Sequence, residues 1–249
     1  MHSMLETSSH VIFIVSSKRM RYDSALAQFP NGFFAGFPYE HTAPLQFEVL
    51  AKHADGSLER FGTCVAPTYG HVFHTVNAYD AADGTIVADM TYSDGDAFDG
   101  ASDGDGLCRF TLDLAPGTAS QELLSSEVKE FASCNQQVLQ KPHRYVWGLD
   151  ISVEDVVKVD TRTGQSMRWS LTSGWVPSEP QFVPRPGGVS EDDGVLLLAA
   201  NEIAAEKSWL LVLDAKSLTE LARLPAPIEV NTGLHNMFVP DARSYPIKN

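Results

Sequence analysis

VVKVDTRTGQSMRWSL, residues 156–171, reads as strand, turn and strand, and its recurrence decides the fold. Two runs rich in β-branched and apolar residues flank a polar turn that ends on Gly164. WLLVLDAKSLTELARL, residues 209–224, has the same shape, with Asp214 standing 54 residues after Asp160. FEVLAKHADGSLERF, residues 47–61, is a third such hairpin, and its Gly56 precedes Gly164 by 108 residues, twice that interval. A period of about 40 to 55 residues with several strands in each unit is what β-propeller blades give. On that period the 249 residues hold four to five blades, an incomplete ring with strand edges left to cover. The plainer alternative is a chance alignment of three hairpins in an all-β chain.

The same texture runs outward from these hairpins. VIFIV (residues 11–15), TIVADM (85–90), GVLLLAA (194–200) and SWLLVLD (208–214) are short β-type runs bounded by Gly, Pro, Asn and Asp. One exception, Ala119 to Glu130, has apolar residues at helical spacing and predicts a short helix. Two stretches break the strand rhythm. FPNGFFAGFPYE (29–40) sets five aromatic rings among glycines and prolines, fit to line an apolar tunnel, to dip into a membrane surface or to fill the edge of the core. SDGDAFDGASDGDG (93–106) has the acidity of a calcium loop. However, Phe98 and Asp99 occupy positions where that loop needs a ligand and a glycine, so it reads as a solvated acidic loop.

Composition excludes several partners. A formal net charge of -14 disfavours nucleic acid and general attraction to anionic lipid, leaving room for peripheral membrane contact through a local apolar patch. Cys64, Cys108 and Cys134 are few and widely spaced, which predicts neither a disulfide framework nor a thiolate metal site and fits a reducing compartment. No apolar run is long enough to span a bilayer, and the first residues lack the basic leader of a signal peptide. The expected location is cytoplasmic or peripheral to a membrane.

Eight histidines are present, none in a local HExxH pattern, and neither a phosphate-binding glycine loop nor a GxSxG elbow occurs. Any metal site must therefore be assembled from ligands far apart in sequence. Taken singly, His2 reads as a terminal residue, His74 as a hydrogen-bonded interior histidine, His235 as a loop residue, and Glu130 and Glu179 as surface carboxylates.

Several segments together resemble the carotenoid cleavage oxygenase family of the retinal pigment epithelial membrane protein type. FHTVNAYD (73–80), followed by ADGTIVADM, is similar to the family segment in which the histidine after Phe binds iron, which implies His74 as a ligand. MHSMLETSSHVIFIV (1–15) resembles the segment that begins with the family's HSF or HDF motif and implies His2. NTGLHNMF (231–238) resembles the segment around the last iron histidine and implies His235, with Asn236 where relatives usually carry glycine. SEPQFVPRP (178–186) and EFASCNQQVLQKPHRYVWGL (130–149) match segments whose glutamates accept a hydrogen bond from iron-bound histidines, which implies Glu179 and Glu130.

The resemblance implies a seven-bladed propeller, with residues 1–249 as the C-terminal part of one such domain and the blades before it, together with a fourth histidine, expected upstream. It also implies a non-heme Fe(2+) dioxygenase. Its substrate would be a carotenoid, an apocarotenoid or a stilbene-like apolar molecule, cleaved with dioxygen at a carbon–carbon double bond to carbonyl products. No catalytic residue beyond the metal site is implied. The alternatives are a truncated non-catalytic chain and a propeller fragment that binds an apolar ligand without a complete iron site.

Overall fold

The computed structural model describes residues 3–17, 43–94, 105–150, 152, 154–230 and 235–239. His2, the aromatic stretch 29–40 and most of the acidic stretch 93–106 lie outside the described residues. Four antiparallel units follow one another. The first is β1 (Met4–Glu6), β2 (His10–Val15), β3 (Gln46–Lys52) and β4 (Leu58–Val65). The second is β5 (His71–Asp80), β6 (Ile86–Ser93), β7 (Gly106–Asp113) and β8 (Thr118–Ser125). The third is β9 (Glu130–Ser133), β10 (Tyr145–Leu149), β11 (Asp155–Asp160) and β12 (Ser166–Ser170). In the fourth, β13 (Trp175–Pro177) and β14 (Gln181–Pro184) share one edge of β15 (Gly194–Glu202), followed by β16 (Lys207–Asp214) and β17 (Glu220–Pro225). These are propeller blades, as the hairpin period predicts, and the described residues hold four of them.

The blades pack through apolar faces. One core cluster joins the first and second blades through Ile12, Phe47, Ala88 and Phe110, all fully buried. A second joins blades two and three through Val76, Leu107, Val146 and Val157. A third joins blades three and four through Trp147, Phe182, Leu196 and Leu213. Trp147 stacks on Phe182 with ring centroids 4.8 Å apart, and its indole N–H donates to the Ala215 carbonyl at 3.1 Å. Each blade thus buries the face that it cannot bury alone.

The first strand of each blade meets the first strand of the next. Thr75 Oγ1 on β5 donates to the Met4 carbonyl on β1 at 3.3 Å. Cys134 Sγ, just after β9, lies 3.8 Å from the Val76 carbonyl on β5. Ser133 Oγ on β9 donates to the Pro180 carbonyl, between β13 and β14, at 3.0 Å. This line of inner strands is where residues from distant parts of the chain converge.

The three predicted hairpins are β3–β4, β11–β12 and β16–β17. Their turns use the left-handed region, with Gly56 at φ 83° and Gly164 at φ 70°, while Leu218 takes that role in the last at φ 55°. A fourth hairpin occupies the segment predicted to be helical. Residues 118–125 form the outer strand β8, entered through Gly117 at φ 68°. Leu123 is 52% exposed there. Pairing with β7 overrides the helical preference of Gln121, Glu122 and the adjoining leucines.

Candidate metal centre

Three irregularities in the inner strands build this site. In the β5–β6 ladder Val72 pairs with Tyr92 and Thr75 with Met90, so Phe73 and His74 together face Thr91. In the β9–β10 ladder Glu130 pairs with Leu149 and Ser133 with Trp147, so Phe131 and Ala132 face Gly148. Between β13 and β14, Pro177 pairs with Ala200 and Gln181 with Leu197, so Ser178, Glu179 and Pro180 span Leu198 and Ala199. An extra residue on one strand bends it and re-aims its side chains. His74, Glu130 and Glu179 all sit in or at the edge of such a break.

Local chemistry maintains each break. Thr91 Oγ1 donates to the His74 carbonyl at 3.2 Å. Phe131 holds φ 54°, unusual for an aromatic residue. Gly148 lets β9 come close: a Cβ there would stand 2.7 Å from Val128 Cγ1 and 3.0 Å from the Glu130 carbonyl oxygen. Ser178 repairs the ladder of β15, donating its N–H to the Ala199 carbonyl at 2.8 Å and accepting the Ala199 N–H on its hydroxyl at 2.9 Å.

Two histidine–glutamate pairs result. His74 Nδ1 lies 2.5 Å from Glu130 Oε2, and His235 Nδ1 lies 3.3 Å from Glu179 Oε2. The two imidazole rings stand 5.0 Å apart, centroid to centroid, with their planes at 68°. A carboxylate can only accept, so each pair places the ring proton on Nδ1 and leaves the Nε2 lone pair as the donor toward a metal. Phe131 is adjacent to both rings, at 4.8 Å from His74 and 5.9 Å from His235. His74 is largely buried on its strand, whereas His235 is 48% exposed and belongs to no strand.

Four of the five residues expected from sequence are thereby brought together as two histidine–glutamate pairs. The fifth, His2, lies outside the described residues. Among the described residues no group of three or more His, Cys, Asp or Glu is placed to hold a metal ion. The two glutamates face the Nδ1 atoms, so the described part offers two imidazoles. Imidazole nitrogens oriented from behind by carboxylates suit first-row divalent metals, the ferrous ion among them.

A second buried cluster supports the site from below. Asp89 on β6 is fully buried and receives two hydrogen bonds from Arg109, at 2.8 and 2.7 Å. His143 Nε2 lies 3.1 Å from the same carboxylate. Burial pushes the Asp89 carboxyl up, but hydrogen bonds and charge from Arg109 and His143 outweigh it and hold the group below the usual carboxylate range. The other His143 nitrogen meets Asn77, whose amide also donates to the Lys141 carbonyl at 2.9 Å and accepts the Gln140 N–H at 2.9 Å. Asn77 lies three residues after His74, and Gln140–Lys141 follow β9. The network therefore fastens the strand that carries His74 to the connection that follows β9.

Beside the His235–Glu179 pair is a cavity of about 320 Å³, lined in part by Thr75, Cys134, Gln181, Glu179, His235 and Asn236. Phe131, Gly148, Ser178 and Asn236 shape the centre without having been singled out as site residues in the sequence. Strand alternation gives no signal for them: Phe131, Gly148 and Ser178 lie at breaks in it, and Asn236 belongs to no strand.

The chain matches the family described as retinal pigment epithelial membrane protein over residues 1–240. It is 26% identical to the torulene dioxygenase of Fusarium fujikuroi over 292 aligned positions, 97% of this chain and 50% of that protein. It is 34% identical to the apocarotenoid-15,15'-oxygenase of Synechocystis sp. over 189 positions, 69% of this chain and 38% of that protein. A solved structure of the Synechocystis apocarotenoid oxygenase superposes with a TM-score of 0.75 at 26% identity, covering 93% of this chain and 51% of the other. A cobalt-substituted form of that oxygenase gives 0.73. The chain spans about half the length of the torulene dioxygenase and of the superposed oxygenase.

Proposed function

The chain belongs to the retinal pigment epithelial membrane protein family, with carotenoid and apocarotenoid oxygenases among its relatives, and from that premise we propose that it serves oxidative cleavage of a carotenoid or apocarotenoid double bond at a ferrous centre. The observation that carries this reading is the paired geometry: His74 on Glu130 and His235 on Glu179, with rings 5.0 Å apart.

His74 and His235 would hold the ion through Nε2. Glu130 and Glu179 keep the proton on Nδ1 and fix the ring planes, which also raises the basicity of the ligating nitrogens. When bound, the ferrous ion supplies the redox chemistry toward dioxygen. Phe131, packed on both rings, excludes water from one side and offers an apolar wall for a polyene. The overall change is balanced without protons: one carbon–carbon double bond and dioxygen become two carbonyl groups. A relative has been obtained in a cobalt-substituted form, which makes that ion a suitable probe.

A second reading, an apolar-ligand-binding chain without a complete iron site, draws on the two imidazoles found among the described residues. The test is to load the protein with ferrous ion, add an apocarotenoid in detergent micelles with dioxygen, and separate the products chromatographically. Two carbonyl fragments are expected, and none from His74→Ala. An intact polyene that co-purifies with the protein contradicts cleavage and favours the second reading.

A further inference from the structure

We propose that Asn236 is a positioning residue of this centre, tying the segment that carries His235 to the break that carries Glu179; the inference rests on the metal-centre reading above. The two candidate ligands are held in different ways. His74 sits within β5, with backbone ladder bonds on either side and a largely buried ring. His235 lies in residues 235–239, which form no strand, and apolar burial restrains them weakly: Met237 is 77% exposed and Phe238 40%. Something polar must set the position of this segment.

Asn236 makes that attachment three times over. Its Nδ2 donates to Ser178 Oγ at 2.8 Å and, at a longer 3.4 Å, to the Glu179 carbonyl. Its backbone N–H donates to Glu179 Oε2 at 3.2 Å, the same oxygen that faces His235 Nδ1 at 3.3 Å. One carboxylate oxygen thus receives consecutive residues, while the Asn236 side-chain amide bridges the Ser178 hydroxyl and the Glu179 carbonyl. Ser178 is 2% exposed and its hydroxyl already accepts the Ala199 N–H, so the amide is fastened to a rigid, desolvated point of the sheet. Through it the geometry of β15 is passed to Glu179 and on to the His235 ring.

The donor character of the amide is what matters, and that separates positioning from packing. An aspartate at this position has the same shape but turns an acceptor toward the Glu179 carbonyl and adds a negative charge beside the Glu179 carboxylate. An alanine removes both amide bonds and keeps the backbone one.

The experiment is a competition titration of the full chain with cobalt(II), beside amide hydrogen exchange on the metal-free protein. Asn236→Ala is expected to weaken cobalt binding by ~10-fold, the scale of losses around metal ligands. Asn236→Asp should weaken it at least as much, and both should speed exchange in residues 235–239. Wild-type affinity and exchange in Asn236→Asp would overturn the inference. If the wild-type chain binds no cobalt, or His74→Ala binds it equally, the metal reading falls. Exchange then judges the tether by itself: faster in Asn236→Ala supports it, and unchanged overturns it.

Discussion

His74 and His235 stand ring against ring, 5.0 Å apart and crossed at 68°, although most of the chain's length separates them. Each is backed by a glutamate from another blade, Glu130 from the third and Glu179 from the fourth. Three consecutive inner strands must therefore keep their register for the pair to exist.

Removing the backing carboxylate without changing its shape tests the division of labour. Glu130→Gln should leave the fold intact and weaken ferrous binding by ~10- to 100-fold. A dialysis titration followed by iron analysis measures this. Unchanged affinity would mean that Glu130 does not orient His74.

Gly148 admits the bulge of β9, and a methyl group there has no room against Val128 and the Glu130 carbonyl. Gly148→Ala should lose roughly 1–3 kcal/mol of stability, the usual penalty for overpacking, and should weaken metal binding with it. Gly62→Ala is the control, because nothing lies within 4 Å of its added Cβ. Urea unfolding of the two variants compares them; equal midpoints would contradict the close approach.

The buried Asp89 makes the fold acid-sensitive. Its carboxyl is held below its ordinary value of about 3.9, so it adds stability that is complete above roughly pH 5 and is lost as pH falls through the lowered folded value. Asp89→Asn should remove about 3–5 kcal/mol at pH 7, since Arg109 and His143 lose their partner, and should flatten the acid limb of the stability curve. Urea midpoints measured from pH 3 to pH 7 decide it, and parallel curves for variant and parent would contradict it.

All three cysteines are free and buried, and burial pushes the Cys108 and Cys134 thiols up to about 12. The native protein at pH 8 should therefore take up no iodoacetamide at either, and the urea-unfolded protein should take it up at both. Mass spectrometry reads the result. Rapid native labelling of Cys134 would contradict its burial.

The hairpins were legible because their turns carry their own chemistry: Gly56 and Gly164 take left-handed backbone, and apolar alternation flanks them. Leu218 does the same work without glycine, and there the pattern is carried by Asp214, whose carboxylate accepts the Lys216 and Ser217 N–H groups. The outer strand β8 was misread because an exposed edge tolerates helix-forming residues when its partner strand supplies the ladder. The site was legible only through family resemblance. His74, Glu130 and Glu179 sit where the period of two is broken, so alternation gives the wrong face for them. His143 carried no signal at all, since its partners Asp89 and Asn77 are distant in sequence and meet it only in the packed blades.

A single metal centre built on His74 and His235 needs both imidazoles to retain its ion. Anaerobic titration of the chain with ferrous ion, followed by iron analysis after desalting, tests it most directly when run beside His74→Ala and His235→Ala. Near-stoichiometric iron in the parent, lost in both variants, is the predicted result. Iron retained equally by the parent and either variant would contradict it.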